Sequence, residues 1–144
     1  MSSQTDFLNV MESWASIYLF HSLTEFFNYL KLSNLSMLQA YALTFIFYKG
    51  SCNISDLCEH MMVSVAAASQ MVDRLEKQNL VKRTAQPGDR RVRKVVLSNQ
   101  GENFVKQSIE ARQSWVKEIP AKVSEKQLDQ ISSALQLLTS IYQE

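Results

Sequence analysis

Eight lysine and arginine side chains lie between Asp73 and Lys94, around the segment RTAQPGDRRVRKVVL at residues 83–97. Only three acidic residues share this stretch, so it carries a net charge of +5, while the rest of the chain carries −4. Guanidinium and ammonium groups donate hydrogen bonds to phosphate oxygens, and arginine can donate two parallel bonds. The spacing indicates a surface able to bind a polyanion; the alternative is a solvated hairpin whose charges favour solubility.

The other residues with site chemistry are two cysteines and two histidines, Cys52, Cys58, His21 and His60. Cys58 and His60 stand two positions apart on a predicted helix and point in different directions, and the cysteine spacing is not one that zinc sites use. We see no glycine-rich phosphate loop and no nucleophile–histidine arrangement. We therefore expect reduced thiols without a disulfide, no cofactor and no enzymatic activity, with metal or redox sensing as a weaker alternative.

Composition places the chain among folded, globular proteins, since 46% of its 144 residues are hydrophobic and 20% are charged. A single domain is expected from this length. The apolar runs are shorter than the roughly 18 residues that a membrane helix needs, and the start MSSQTD lacks the features of a secretion signal. We expect a cytoplasmic location.

Long stretches without glycine or proline predict a mainly helical fold, because the chain has only three glycines and two prolines. Apolar residues at helical intervals predict a first helix over 6–31. Ser36 followed by Gln39 is a capping box that predicts the start of a second helix, and a third, short helix follows Asn53 or Ser55. Together these spacings predict a helical frame around the basic segment.

The fourth helix, VAAASQMVDRLEKQ, follows Ser64 as its N-cap. Its apolar residues recur at intervals of three and four and predict a buried side made of Ala68, Met71, Val72 and Leu75. The opposite side carries Ala66, Ala67, Gln70 and Arg74.

After this helix the pattern alternates, so LVKRT and VRKVVL predict two strands joined by Gln86-Pro87-Gly88-Asp89. Pro87 and Gly88 suit the central positions of a type II turn, where the second residue needs a positive φ. Asn79 ends the preceding helix and tolerates the left-handed conformation there. The basic side chains are thus expected on a β-hairpin that directly follows the fourth helix.

Two helices follow the hairpin in the predicted order. Ser98 begins a fifth helix that runs to about Glu118 and that Pro120 breaks. The capping box from Ser124 to Gln127 opens the last helix. Its apolar residues form a coiled-coil-like seam, Leu128, Ile131, Leu135, Leu138 and Tyr142.

A helix-turn-helix followed by a basic hairpin has a direct physical use. The second helix fits the major groove of DNA, and the hairpin reaches the neighbouring backbone or minor groove. The main alternative is a winged-helix adaptor that binds proteins without specific DNA binding.

The segment MVDRLEKQNLVKRTAQPGDRRVRKVVLSNQG at residues 71–101 resembles the MarR family of bacterial winged helix-turn-helix regulators. The matching features are the D-R-L-E helix end, the short strand, the D-x-R wing at Asp89–Arg91 and L-[ST]-x-x-G before a long helix. The resemblance implies one MarR-like domain over 1–144, with a winged-helix lobe at 35–100 and long dimerisation helices at 1–34 and 101–144. Asn79 departs from the glycine usual in the family.

The resemblance also implies a DNA-binding homodimer, typically a repressor, on a near-palindromic operator. Carried over residue by residue, it implies a set of DNA-binding positions on the recognition helix and wing: Ser64, Ala66, Ala67, Ser69, Gln70, Arg74, Arg90, Arg91 and Arg93. Gln70 is the best candidate for reading a base edge, because glutamine can pair with adenine, and the alanines leave room for thymine methyl groups.

A small aromatic or phenolic ligand that releases the DNA is a further implication of the resemblance. Trp14, Tyr18 and His21 of the first helix could line its pocket, although an aromatic stripe is more often part of a protein core. The sequence does not distinguish a repressor from an activator and does not name an operator or an effector.

Overall fold

The computed structural model describes residues 3–86 and 88–143, and it leaves the side chains of 86 and 89–92 undescribed. Two antiparallel strands follow four α-helices, and a further α-helix, a 3₁₀ helix and a final α-helix complete this part of the chain. The elements are α1 (Ser3–Ser33), α2 (Met37–Lys49), α3 (Ile54–Met61), α4 (Val65–Lys77), β1 (Val81–Gln86), β2 (Asp89–Leu97), α5 (Asn99–Gln113), the 3₁₀ helix (Ser114–Lys122) and α6 (Glu125–Ile141). The predicted mainly helical winged helix-turn-helix with a two-stranded wing is confirmed.

Polar side chains set the starts of the helices, as the sequence predicts. Ser36 caps α2 in a reciprocal capping box with Gln39. Of the two alternatives for α3, Asn53 is the N-cap, and its side chain accepts a hydrogen bond from the Asp56 amide at 2.7 Å. Each cap satisfies a backbone donor that the first helical turn leaves unpaired, which fixes where the helix begins.

The apolar core of the residues 26–111 forms where α2, α3 and α4 meet the hairpin. Leu43 and Ile46 of α2, Leu57 of α3 and Val72 and Leu75 of α4 are fully buried in it. Burying each such side chain contributes about 1.5–3 kcal/mol. This packing holds the helix-turn-helix as one body.

The hairpin is tied to this core through its backbone. Val81 pairs with Leu97 and Ala85 with Arg93 in the antiparallel register, with an irregularity between Ala85 and Gln86. Cys52, between α2 and α3, exchanges two backbone hydrogen bonds with Val95 at 3.0 and 2.7 Å. Gly88 has φ 90°, the positive value predicted for the turn, whereas Pro87 lies outside the described residues.

A close joint connects the end of α4 to the start of α5. Asn79 adopts the predicted left-handed conformation at φ 57° and accepts a hydrogen bond from the Ser98 hydroxyl at 2.5 Å. The Ser98 amide donates to the Leu80 carbonyl at 3.0 Å, and the Ser98 hydroxyl accepts from the Gly101 amide at 3.0 Å. A Cβ atom at Gly101 would stand 2.0 Å from the Leu80 carbonyl oxygen, so only glycine allows this approach.

The end of the fifth helix differs from its prediction. The α-helix ends at Gln113, and Pro120 lies inside the 3₁₀ helix instead of following the α-helix as a break. In an α-helix the ring of Pro120 would clash with the Val116 carbonyl four residues earlier, so a continuous α-helix through Pro120 is excluded. The capping box from Ser124 to Gln127 does open α6, with Tyr142 as its C-cap.

Two compact units divide the chain, one comprising the described residues of Met1–Glu25 with Arg112–Glu144 and the other Phe26–Ala111. The predicted lobes, 35–100 on one side and 1–34 with 101–144 on the other, stay a prediction. None of the described helices is both long and apolar enough to cross a membrane.

Candidate nucleic-acid interface

The fourth helix separates a buried side from an exposed side. Its inward side chains are the four predicted ones, Ala68, Met71, Val72 and Leu75. Ala66, Ala67, Gln70 and Arg74 are exposed. The helix can therefore present these four residues to a partner while its other side anchors it in the core.

Two serines of the predicted interface, Ser64 and Ser69, differ from the exposed residues of α4 in hydrogen bonding or burial. The Ser64 hydroxyl accepts a hydrogen bond from the Ala67 amide at 3.1 Å, so Ser64 is the N-cap of α4. Ser69 is half-buried and thus less accessible than its assignment to the exposed side predicts. Ser64 remains exposed, and its hydroxyl hydrogen can still be donated.

Exposed cations continue from this helix onto the hairpin. Arg74 and Lys77 of α4, Lys82 of β1 and Arg93 of β2 are exposed, and none of them forms an ion pair with another described residue. Arg90 and Arg91 belong to β2, but their side chains lie outside the described ones. The described cations alone give the helix and hairpin a positive surface available to anions.

Arg83 has a different role from the other cations of the basic segment. Its guanidinium donates to Asp73 at 2.6 Å and to Glu76, and its backbone amide donates to Glu76 at 3.3 Å. The Arg83 side chain is only 19% exposed. β1 is thereby bound to two carboxylates of α4, and we call this contact the Arg83 latch.

The latch alters both the charge and the ionisation of its members. Burial acts to lower the pKa of Arg83, but the hydrogen bonds and charges of Asp73 and Glu76 outweigh burial and raise it. Arg83 therefore stays charged, and it offsets the acidic side chains of α4. On sequence alone, Arg83 counts among the cations of the basic segment and is not distinguished from them. Its position on the strand directly after a helix with two acidic residues is the signal that could have indicated the ion pairs.

The three aromatic residues predicted for a ligand pocket pack against Trp115. The Trp115 ring centroid lies 4.9 Å from that of His21, 5.7 Å from Tyr18 and 5.9 Å from Trp14. The indole N–H donates to the Ser22 hydroxyl at 3.4 Å. Trp115 was not identified from the sequence, because the predicted helix through 118 gave no reason to orient it toward α1.

The cysteines and histidines do not converge in the part of the chain that the structure describes. Burial, reinforced by the charge of Asp56, raises the pKa of Cys52 to about 11, so this thiol is protonated at neutral pH. The His60 ring stacks on Phe45 at 4.0 Å and its Nε2 lies 2.9 Å from the Tyr41 hydroxyl. Both cysteines are free thiols, and the described residues contain no group of three metal-ligating side chains.

Comparison with known proteins shows what this chain is similar to. Residues 35–92 match the model of the MarR family. The transcriptional repressor MdtR of Bacillus subtilis is 38% identical over 64 residues, which are 44% of this chain and 41% of that protein. The matched segments span about half the length of the curated relatives.

Solved structures match over nearly the whole chain. The transcriptional regulator Tm0710 of Thermotoga maritima superposes with a TM-score of 0.83 at 22% identity, covering 92% of this chain and 94% of that one. A MepR mutant of Staphylococcus aureus bound to an oligodeoxyribonucleotide gives 0.68 at 16% identity, covering 96% and 98%. At identities of 22% and 16%, this similarity shows a shared fold only. Family model, relatives and fold together show that residues 35–92 are similar to the MarR family and that the chain shares the fold of solved MarR-family regulators.

Proposed function

We propose that this protein is a transcriptional repressor that binds double-stranded DNA as a homodimer on a near-palindromic operator in the cytoplasm. The observation that carries the proposal is the exposed side of α4 beside the hairpin, with cations that have no ion pair among the described residues. Two similar proteins support it, since MdtR is a transcriptional repressor and the MepR mutant was solved bound to an oligodeoxyribonucleotide.

On this proposal α4 enters the major groove. Gln70 is exposed near the middle of the helix and can pair with an adenine edge, and Ala66 and Ala67 allow close approach to the bases. Arg74 lies one turn beyond Gln70 and binds a backbone phosphate. The helix thus divides into a part that reads bases and a part that positions the protein.

The hairpin supplies the second contact. Arg93 binds phosphate, and Arg90 or Arg91, beside the turn, enters the adjacent minor groove, where a narrow groove attracts arginine. The strand pairing and the Cys52–Val95 bridge support this assignment, because they hold the base of the hairpin against the helix-turn-helix.

Exposed apolar side chains support the homodimer. Phe20 on α1 is 67% exposed, and Leu137 and Ile141 on α6 are 66% and 60% exposed in the single chain. Burying such side chains between two copies stabilises a dimer, and a two-fold axis gives a near-palindromic target. The half-sites are expected about 10 base pairs, or roughly 34 Å, apart.

Selection of bound duplexes from a random DNA pool tests the proposal directly. A near-palindrome with this spacing is the expected result, and log affinity is expected to fall with log salt at a slope of about −5 if six phosphates are neutralised. Arg74→Ala and Arg91→Ala are expected to weaken binding to every sequence, whereas Gln70→Ala changes preference at one position by about 1–3 kcal/mol. Lys31→Ala, another exposed cation, is the control. If the selection yields no duplex even at low salt, the result favours a protein-binding adaptor.

We also propose that a small aromatic or phenolic ligand releases the DNA by binding at Trp14, Tyr18 and His21. Because these rings contact Trp115, the ligand has to intercalate beside it or displace it. The chain has only two tryptophans, and both belong to this cluster. A phenolic ligand such as salicylate is therefore expected to change tryptophan fluorescence and to lower DNA affinity in parallel; a fluorescence change with no loss of DNA binding would contradict release.

A further inference from the structure

Two large apolar side chains are exposed at the turn between α3 and α4. Met62 is 92% exposed and Val65, the first residue of α4, is 66% exposed. Met62 is the C-cap of α3 in the left-handed conformation, at φ 51° and ψ 44°, and its amide donates to the Cys58 carbonyl. The backbone thus fixes Met62 at this turn, even though its side chain gains little from burial there.

The charges of the same helix indicate what these side chains face. Arg74 and Lys77 form no ion pair with a described residue, and Asp73 and Glu76 are engaged by Arg83. An apolar start followed by available cations is complementary to a surface that offers apolar groups next to phosphates. In the DNA major groove the thymine C5-methyl is such a group, since the other positions of the base edges are hydrogen-bond donors and acceptors.

We propose that Met62 and Val65 are specificity-determining residues that contact thymine C5-methyl groups in each half-site. The inference rests on the proposed function and adds apolar readout to it. N-terminal residues of a recognition helix contact base edges in this geometry, which places Val65 and the preceding turn at the floor of the groove. It also explains how a first turn with two exposed alanines can read sequence with few polar side chains.

Replacing thymine by deoxyuridine in the selected operator tests the proposal, because the exchange removes only the methyl group. Each thymine pair is replaced symmetrically in both half-sites, and affinity is measured by fluorescence anisotropy at fixed salt. The expected loss is about fourfold per buried methyl at one or two thymine positions, the factor that about 0.8 kcal/mol produces. At the other thymines no change is expected.

Val65→Ala and Met62→Ala identify the residues responsible. Each variant is expected to abolish the deoxyuridine penalty at its own position and to leave the penalty at the other. Both residues are exposed, so neither variant removes core packing, and circular dichroism confirms folding. Tyr48→Ala is the matched control, because Tyr48 is a 74% exposed, largely apolar side chain near the end of α2 that has no part in the proposed contacts.

The outcomes separate the two proposals. A selected operator whose affinity is unchanged by deoxyuridine, or whose penalty persists in both alanine variants, overturns methyl readout and leaves DNA binding intact. Failure to select any duplex overturns the proposed function, and methyl readout with it.

Discussion

Removing the Arg83 latch is expected to weaken the fold and DNA binding without removing a phosphate contact. Arg83→Met keeps most of the apolar stem and deletes the guanidinium, so Asp73 and Glu76 lose their partner. Hydrogen bonds to charged groups contribute about 1.5–3 kcal/mol when shielded, but exposed ion pairs contribute only about 0.2–1 kcal/mol. With Arg83 19% exposed and the carboxylates of Asp73 and Glu76 52% and 41% exposed, we expect a loss of about 1–2 kcal/mol in the free energy of unfolding.

Urea unfolding followed by circular dichroism measures this loss, since urea does not screen charges. For a chain of this size the same loss lowers Tm by about 2–8 °C. Arg83→Lys is the conservative comparison: it keeps the charge but cannot hold both carboxylates with a planar fork, so an intermediate stability is expected.

The salt dependence of DNA binding distinguishes a latch from a phosphate contact. Arg83→Met is expected to lower affinity while the slope of log affinity against log salt stays that of the parent protein. Arg74→Ala, in contrast, is expected to reduce the slope by about 1 per subunit. Parent-like stability of Arg83→Met together with a reduced slope would show that Arg83 is a phosphate ligand, and the reasoning from the latch would be wrong.

Two further predictions concern the frame around the interface. Gly101→Ala is expected to destabilise the fold by about 3 kcal/mol, because its Cβ would overlap the Leu80 carbonyl oxygen, and urea unfolding checks this; stability equal to the parent protein would contradict the close joint. The hydrogen bond from the Asn53 amide and the ion pair with Lys49 lower the pKa of Asp56. The ionised carboxylate therefore stabilises the fold above about pH 4. This contribution is lost as the pH falls through the lowered pKa. Asp56→Asn should therefore be less stable than the parent at pH 7 by about 1 kcal/mol, and this difference should narrow as the pH falls below about 4, as unfolding curves across this range will show.

Local signals made much of the frame predictable. Ser36, Asn53, Ser64 and Ser124 each cap a helix where an adjacent apolar pattern begins, because capping depends on residues only three positions apart. The left-handed Asn79 followed from the same local rules.

Contacts between distant residues were not accessible in this way. The Arg83 latch joins residues seven and ten positions apart across a change from helix to strand, and Trp115 reaches His21 across most of the chain. The α-helix α5 ends at Gln113, well before Pro120, and the helical pattern of the sequence did not show this end. Periodicity predicted which residues of α4 are exposed, whereas the half-buried state of Ser69 depends on packing against other elements.

The division of α4 into an anchored side and a free side has a consequence for evolution. Ala68, Val72 and Leu75 are constrained by the core, but Val65, Ala66 and Gln70 can be exchanged with little effect on folding. On the proposed function, gene duplicates of this protein could therefore acquire new target sequences through a few substitutions in the first two turns of α4, while retaining the same scaffold.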